Sequence, residues 1–155
     1  FPNTRFNIDV KADTAVQAVG PIVASHAERV LLTAFSDARR RTAMAAIMRA
    51  GANQRPAASP GTFTVVKLVI AVWLRARWLA ARALRGIDAV QIPERQGRLR
   101  VLSPRLIAMA HELGIEVHVW TVNESDDMRR LLDAGVDGIV TDRADVALQV
   151  VAERK

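Results

Sequence analysis

Short apolar runs alternate along the chain with longer segments of helical periodicity. The runs predict strands at 6–10, 30–35, 89–92, 117–122 and 138–141. The segments between and after them predict helices at 13–23, 38–50, 64–84, 104–113, 125–134 and 144–153. Regular alternation of strands and helices indicates an α/β fold with parallel strands and right-handed crossovers.

Glycine and proline mark the breaks between these elements. Gly20 and Pro21 predict an early end to the first helix. The segments 53–61 and 94–99 are predicted loops, the first because of its two prolines and the second because of its polar character. Ser103, followed by proline, has the pattern of a helix N-cap.

Two architectures fit this alternation, an open doubly wound sheet and part of a barrel. The chain has no G-x-G-x-x-G or G-x-x-x-x-G-K-[ST] segment, which disfavours the dinucleotide-binding and P-loop folds. Its 155 residues predict one domain, 1–155. A complete (β/α)8 barrel takes about 250 residues, so we expect at most a partial one.

Polar side chains are predicted on one side of the first strand. Asn7, Asp9 and Lys11 alternate there with Ile8 and Val10, which suit a face packed on helices. Asp9 and Lys11 lie at the carboxyl end, where α/β barrels carry their chemistry. An ion pair between them is the structural alternative.

The strand 117–122 repeats this arrangement. His118 and Trp120 share one side, and Asn123 follows the strand. Each has a structural alternative: His118 as a hydrogen-bonded core histidine, Trp120 as core filler and Asn123 as a cap of the following turn. Other polar side chains at or just past predicted strand ends are Ser36, Gln91 and Asp142.

Composition narrows the chemistry. Without cysteine the chain has no disulfide, no thiol nucleophile and no cysteine-ligated metal, which fits a reducing compartment and favours the cytoplasm. Its net charge of +6, carried mainly by arginine, fits either an anionic partner or solvated helix faces. For the run 39–41 we expect a solvated first helical turn. No nucleic-acid-binding motif accompanies it, so we expect no nucleic-acid partner.

The longest apolar stretch, 65–74, is too short to cross a bilayer, and we expect no transmembrane segment. The helix 64–84 carries Trp73, Trp78 and several arginines, a composition also seen in helices at membrane surfaces. A core-facing helix is the interpretation we favour.

Several segments resemble the glycerophosphodiester phosphodiesterase family. The most specific are WTVN at 120–123 and GVDGIVTD at 135–142, which are similar to the last two β–α units of that family. FNIDVK at 6–11 resembles its N-I-E-x-K segment, and VLLTAFS at 30–36 and AVQIP at 89–93 resemble the strands that follow. The resemblance covers nearly the entire chain, in order.

The resemblance implies a TIM barrel that hydrolyses glycerophosphodiesters to glycerol 3-phosphate and an alcohol. It implies Mg²⁺ or Ca²⁺ held by carboxylates, and two histidines in H-R-G and H-D segments as acid and base. Asp9 matches a metal-binding glutamate of the family, Lys11 a lysine facing the phosphate, and Trp120 a tryptophan lining the substrate pocket. The implied partner is a small glycerophosphodiester.

Two departures qualify that implication. Asp9 is one methylene shorter than glutamate, and the sequence has no H-R-G or H-D segment and no E-x-D segment on an early strand. We therefore expect the last five β–α units of a barrel, no catalytic histidine in this chain and negligible hydrolysis by the chain alone. A partial barrel has open edges. We therefore expect it to pair with another copy, to open into a sheet or to be part of a larger chain.

Two further interpretations remain open. One is a non-catalytic, truncated barrel that binds an anionic partner through its arginines. The other is a phosphate-binding biosynthetic barrel, because GVDGIVTD also resembles the phosphate-loop ends of such barrels. In that barrel Asp142 and Arg143 would replace the expected small residues, and WTVN would have no role.

Overall fold

The computed structural model describes residues 3–154 of an α/β protein. Its strands are β1 Phe6–Asp9, β2 Val30–Thr33, β3 Ala57–Ala58, β4 Ala89–Pro93, β5 Arg95–Gln96, β6 Leu99–Arg100, β7 Glu116–Trp120 and β8 Gly138–Ile139. Its α-helices are α1 Ala15–Ala24, α2 Asp37–Arg49, α3 Thr62–Trp73, α4 Arg77–Ala83, α5 Pro104–Glu112, α6 Ser125–Asp133 and α7 Ala144–Ala152. A 3-10 turn, Ala27–Arg29, precedes β2.

Parallel pairing follows chain order, which confirms the predicted alternation. One sheet has the order β1-β2-β3, and the other β4-β7-β8. The Asp88 N–H donates to the Ala58 carbonyl at 2.9 Å and joins the two sheets between β3 and β4. Sequential parallel neighbours connected by helices are the arrangement found in the wall of a (β/α)8 barrel.

The prediction of five parallel strands was wrong, because β3 makes six. β3 is two residues long, lies between Pro56 and Pro60 and pairs with β2. The Asp88 carboxylate accepts the Ala58 N–H at 2.8 Å, so a residue thirty positions away holds the strand. The local sequence, with a proline on each side, is typical of a loop and gives no indication that Asp88 is the partner.

The predicted helix 64–84 was also wrong, because it is two helices, α3 and α4. Arg75 has φ 55°, in the left-handed region where glycine is usual. The Arg75 N–H donates to the Val72 carbonyl and the Ala76 N–H to the Ala71 carbonyl, which is the Schellman pattern of a helix end. The usual sequence signal for such a helix end is a glycine, so with an arginine at this position the end of α3 was not predicted.

The first helix runs on where an early end was predicted. α1 continues through Gly20 and Pro21 to Ala24. A Cβ on Gly20 would lie 2.8 Å from the Ala46 carbonyl oxygen of α2. Gly20 therefore permits the close packing of α1 on α2.

The predicted loop 94–99 contains an antiparallel hairpin, β5–β6, that turns at Gly97 with φ 60°. The predicted cap at Ser103 is confirmed, and Ser36 caps α2 in the same way, since each hydroxyl accepts the backbone N–H three residues later at 3.2 Å. These caps set the start of α2 and α5.

Apolar side chains form two buried clusters. The larger packs α3 to α7 against β4 and β7, and its members include Ile92, Val117, Val119 and Leu131. The smaller packs α1 and α2 against β1 and β2 and includes Leu32. Within residues 3–154 no helix is long and apolar enough to cross a membrane.

Candidate functional site

A cavity of about 760 Å³ opens at the carboxyl ends of the parallel strands. Asp9, Lys11 and Trp120, the three site residues selected from the sequence, all line it. Asp9 ends β1 and Lys11 follows it, whereas Trp120 ends β7, a strand of the other sheet. The fold therefore brings together residues that lie more than one hundred positions apart in sequence.

The wall from β1 is polar. Asn7, Asp9 and Lys11 all line the cavity, while Val10 is buried and Ile8 packs against the smaller core, as the alternation predicted. Lys11 Nζ lies 4.0 Å from Asp9 Oδ2, and the Lys11 side chain is 80% exposed. Such a long, exposed ion pair contributes little stability. The ammonium is therefore accessible to an anionic ligand.

The wall from β2 and β7 is aromatic. Phe35 and Trp120 meet edge to face, with ring centroids 6.2 Å apart and an interplanar angle of 82°. Both rings line the cavity, and Trp120 is half-buried. This wall offers apolar contact to the organic part of a ligand. Phe35 was not selected from the sequence, although its place just after a predicted strand was a usable signal.

A third wall comes from α3 and the hairpin. Val65, Val66, Val69 and Ile70 of α3 line the cavity. Gln96 and Leu99 lie beside it on β5 and β6. Sequence reasoning missed this wall because it treated the helix as core-facing and 94–99 as a loop. The apolar character of nearly every residue of α3 was the available signal.

Asn123 and Asp142 support the strand ends beside the cavity. Asn123 Oδ1 accepts hydrogen bonds from Thr141 Oγ1 and from the Asp142 N–H, each at 3.0 Å. Asn123 was predicted to cap the turn that follows it. Its side chain instead binds the loop after β8. Together these contacts join the WTVN and GVDGIVTD segments.

His118 lies on β7, and its side chain is hydrogen-bonded to a residue of β4 and to a residue of its own strand. Its Nδ1 lies 3.4 Å from Gln91 Nε2, and its Nε2 lies 3.0 Å from Glu116 Oε2. One tautomer satisfies both, accepting from the glutamine and donating to the carboxylate. His118 does not line the cavity, whereas Gln91 does. This geometry supports the structural interpretation of His118.

His111 also has a structural partner. Its Nε2 lies 2.8 Å from Asp137 Oδ2, which accepts the Val117 N–H at 2.7 Å. Burial raises the pKa of Asp137, but the Val117 N–H and His111 outweigh burial and hold the pKa below its usual range. This carboxylate fastens α5 and the loop before β8 to β7.

The solvated turn expected at 39–41 holds for Arg41, which is exposed, but not for Arg39 and Arg40. Arg39 pairs with Asp13 at 2.6 Å. Arg40 lies 3.5 Å from Asp37, and the side chains of Arg40 and Asp37 are 12% and 11% exposed. Burial raises the pKa of Asp37, but the N–H groups of Gly61 and Thr64 and the Arg40 guanidinium bring it below its usual range. Asp37 thereby caps α3 and holds it over the cavity.

Asp88 secures the junction between the two sheets. It makes a bidentate pair with Arg55 at 2.7 and 2.8 Å and also accepts the Ala58 N–H. Burial raises the pKa of Asp88. Arg55 and the Ala58 N–H lower it by more than burial raises it, so the pKa lies below its usual range. Neither Asp88 nor Arg55 was selected from the sequence.

The described residues do not form a complete metal site. Among residues 3–154 no three histidine or carboxylate side chains are grouped closely enough to hold an ion. Asp9 offers one carboxylate to the cavity, and Mg²⁺ or Ca²⁺ takes six or more oxygen ligands, waters included. Asp9 is therefore one candidate ligand, and the described residues alone do not complete the metal site that the resemblance implies.

The chain is similar in sequence to curated glycerophosphodiester phosphodiesterases. A probable glycerophosphodiester phosphodiesterase 2 from Mycobacterium tuberculosis is 39% identical over 99% of this chain and 57% of its own length. A glycerophosphodiester phosphodiesterase from Caldanaerobacter subterraneus is 38% identical over 48 residues, 31% of this chain and 20% of its own length. The chain thus spans little more than half of the first relative.

A crystal structure of a glycerophosphodiester phosphodiesterase from Parabacteroides distasonis superposes with a TM-score of 0.63. It is 19% identical, and the match covers 99% of this chain and 60% of that one. That likeness supports the fold, a TIM-barrel type with parallel strands. The sequence model of the glycerophosphoryl diester phosphodiesterase family matches residues 2–146. With that match over almost its full length, the chain belongs to the glycerophosphoryl diester phosphodiesterase family.

Proposed function

We propose that the protein hydrolyses glycerophosphodiesters to glycerol 3-phosphate and an alcohol, and that this chain supplies one side of the active site. The observation that carries the proposal is the convergence of Asp9, Lys11 and Trp120 on one cavity at the strand ends. Lys11 would bind the phosphate, since its ammonium is exposed and its ion pair with Asp9 is long. Trp120 and Phe35 would contact the organic groups.

The six parallel strands would be the later part of an eight-stranded barrel. The resemblance assigns the histidine segments and the other metal ligands to the strands that would complete it. β1 pairs only with β2 and β8 only with β7 among the described residues, so both flanks are open for further strands or a second copy. Mg²⁺ or Ca²⁺ would need ligands beyond Asp9.

The direct test measures glycerol 3-phosphate release from glycerophosphocholine by the protein at its full natural length, with Mg²⁺ or Ca²⁺. We expect turnover there and negligible turnover by residues 1–155 alone. Turnover by the isolated 155 residues would contradict the division of the site. A folded full-length protein that releases no product would contradict the activity.

Variants test the three roles. Lys11→Gln is expected to lower turnover by about 10²-fold, the usual cost of removing one group that stabilises transition-state charge. Asp9→Asn is expected to lower turnover and raise the metal concentration required. Trp120→Leu is expected to raise KM about three- to tenfold, because the contact of the ring with the organic group of the substrate is lost; a change of that size corresponds to about 0.7–1.4 kcal/mol.

Matched controls carry the same changes outside the cavity lining. They are Lys67→Gln, Asp13→Asn and Trp78→Leu, whose wild-type side chains are exposed and do not line the cavity. We expect each control to keep wild-type turnover of dissolved substrate. Equal losses in a variant and its control would argue for a general effect on folding.

A further inference from the structure

α3 is apolar on two faces, although it is a single short helix. Leu68, Ala71 and Val72 point into the larger core. A second row of apolar side chains on α3 and α4 is exposed to solvent; this exposed stripe consists of Phe63, Val66, Ile70, Trp73, Leu74 and Trp78. Trp73 is 79% exposed and Trp78 70%. The preferred expectation of a core-facing helix therefore holds for one face only.

The charged residues within the segment that carries the exposed stripe have a single sign. Residues 62–87 contain five cations and no acidic residue; the cations are Lys67, Arg75, Arg77, Arg82 and Arg85, and all five are exposed. Arg77 lies 3.5 Å from Glu112, and Lys67 Nζ lies 4.4 Å from the centroid of the Phe63 ring. The surface thus combines large apolar side chains with positive charge.

We propose that the exposed stripe docks the protein on an anionic lipid surface. Aromatic and aliphatic side chains flanked by arginine and lysine are the features of helices that lie in the headgroup region. Tryptophan suits this region because its ring is apolar and its N–H is polar. The charge of the stripe complements anionic headgroups.

The same charge argues against self-association through this surface. In a two-fold contact between copies, each patch meets itself, so the cations of one copy would face the cations of the other. Further barrel strands would join at β1 and β8, whereas α3 packs between α2 and α5, which this chain already supplies. A lipid surface is therefore the occupant that the charges favour.

The exposed stripe is continuous with the cavity. Val66 and Ile70 belong to the stripe and also line the cavity wall. Docking through the stripe would therefore bring that wall of the cavity close to the lipid. The proposal rests on exposure and charge and does not depend on the proposed hydrolysis.

Vesicle sedimentation tests the proposal with the protein at its full natural length. The vesicles contain either equal parts of phosphatidylcholine and phosphatidylglycerol or phosphatidylcholine alone. We expect binding to the anionic vesicles that weakens as salt rises, and little binding to the neutral ones. Failure to bind the anionic vesicles at low salt would overturn the proposal, as would equal binding to both.

Paired variants separate this surface from others on the same protein. Trp73→Ser with Trp78→Ser is expected to lower affinity for anionic vesicles at least about tenfold, since burial of a large apolar side chain is lost. The matched control, Ile22→Ser with Leu148→Ser, changes two equally exposed apolar residues on α1 and α7 and is expected to bind normally. Equal loss in both pairs would overturn the assignment to α3 and α4.

A charge pair completes the test. Arg82→Gln with Arg85→Gln is expected to weaken binding about fivefold for each charge removed. Arg5→Gln with Arg49→Gln removes two exposed cations elsewhere and is the control. Loss of a dimer in the tryptophan variants, without any vesicle binding by the wild type, would assign the stripe to a second copy and overturn the proposal.

Hydrolysis of dissolved glycerophosphocholine is measured on the same samples. Vesicle binding without hydrolysis would contradict the proposed function and leave docking supported. Hydrolysis without vesicle binding would overturn docking alone. Circular dichroism confirms that each variant is folded.

Discussion

The two halves of the parallel sheet differ in how they are held together. β4, β7 and β8 lie against the larger core and are tied by side chains of Asp137 and Asn123. β1 and β2 lie against the smaller core of valines, alanines and a few larger residues, and β1 is mostly exposed. Asp9 and Lys11 belong to this second half. The most specific motifs therefore lie where packing is strongest, and two of the three proposed site residues lie where it is weakest.

The largest expected effect comes from deleting a large side chain in the larger core. Leu131→Ala is expected to lower the free energy of unfolding by about 2–5 kcal/mol, because the cavity left behind is enclosed. Leu32→Ala makes the same deletion in the smaller core and is expected to cost less, because the surroundings of β1 relax more easily. Chemical denaturation measures both, and equal losses would break the comparison.

The contact between α1 and α2 gives the next effect. Gly20→Ala would place a Cβ 2.8 Å from the Ala46 carbonyl oxygen, so the helices must move apart. We expect a loss of about 1–3 kcal/mol, the usual cost of overpacking. Gln17→Ala, on the exposed side of the same helix, is the control. A stabilised Gly20→Ala variant would show that the two helices separate without cost.

Asp88 tests the junction between the halves. Asp88→Asn keeps an acceptor but loses the charge that holds Arg55, and we expect a loss of about 1–2 kcal/mol at neutral pH after allowance for partial exposure. Because the folded pKa of Asp88 lies below its unfolded value, this stabilisation is present above the unfolded pKa.

The stabilisation is lost as pH falls through the folded pKa of Asp88. The stability difference between wild type and Asp88→Asn should therefore shrink in acid. Denaturation curves over a pH series measure it, with the exposed Asp126→Asn as the control. A difference that stays constant down to the lowest pH would contradict the role given to the charge.

Asn123→Ala is expected to have the smallest effect. It removes the acceptor for Thr141 Oγ1 and the Asp142 N–H, both of which are exposed and can bond to water instead. We expect a loss of about 0.5–1.5 kcal/mol, visible as a lower Tm. Asn53→Ala, in an exposed loop, should leave Tm unchanged. No change in Asn123→Ala would mean that the main-chain pairing alone holds these loops.

Local pattern was sufficient for most elements of the fold. Alternation in 6–10 and 117–122 predicted which side chains enter the core, because a strand has a period of two. It also predicted the side of 6–10 that faces the cavity, whereas in 117–122 Trp120 lines the cavity and His118 does not. The cap at Ser103 predicted the start of α5. β3 and the break between α3 and α4 escaped prediction, because their causes are the distant Asp88 carboxylate and an arginine in a conformation usually taken by glycine.

The candidate site divides in the same way. Asp9, Lys11 and Trp120 were selected from strand-end positions and the family resemblance, and all three line the cavity. The wall from α3 and the partner of Trp120, Phe35, were missed. Periodicity predicts that an apolar face of a helix such as α3 packs in the core. It does not show whether a second apolar face of the same helix is covered by another part of the protein.

The sequence by itself determined the parallel α/β class, the order of the units, the side of β1 that carries polar groups and the family. Those features follow from local periodicity, capping and motif order. Only the tertiary structure decided that β1, β7 and α3 share one cavity, that the Arg40 side chain is only 12% exposed and that Trp73 and Trp78 are exposed. These outcomes depend on contacts between residues far apart in the chain, which local pattern does not encode.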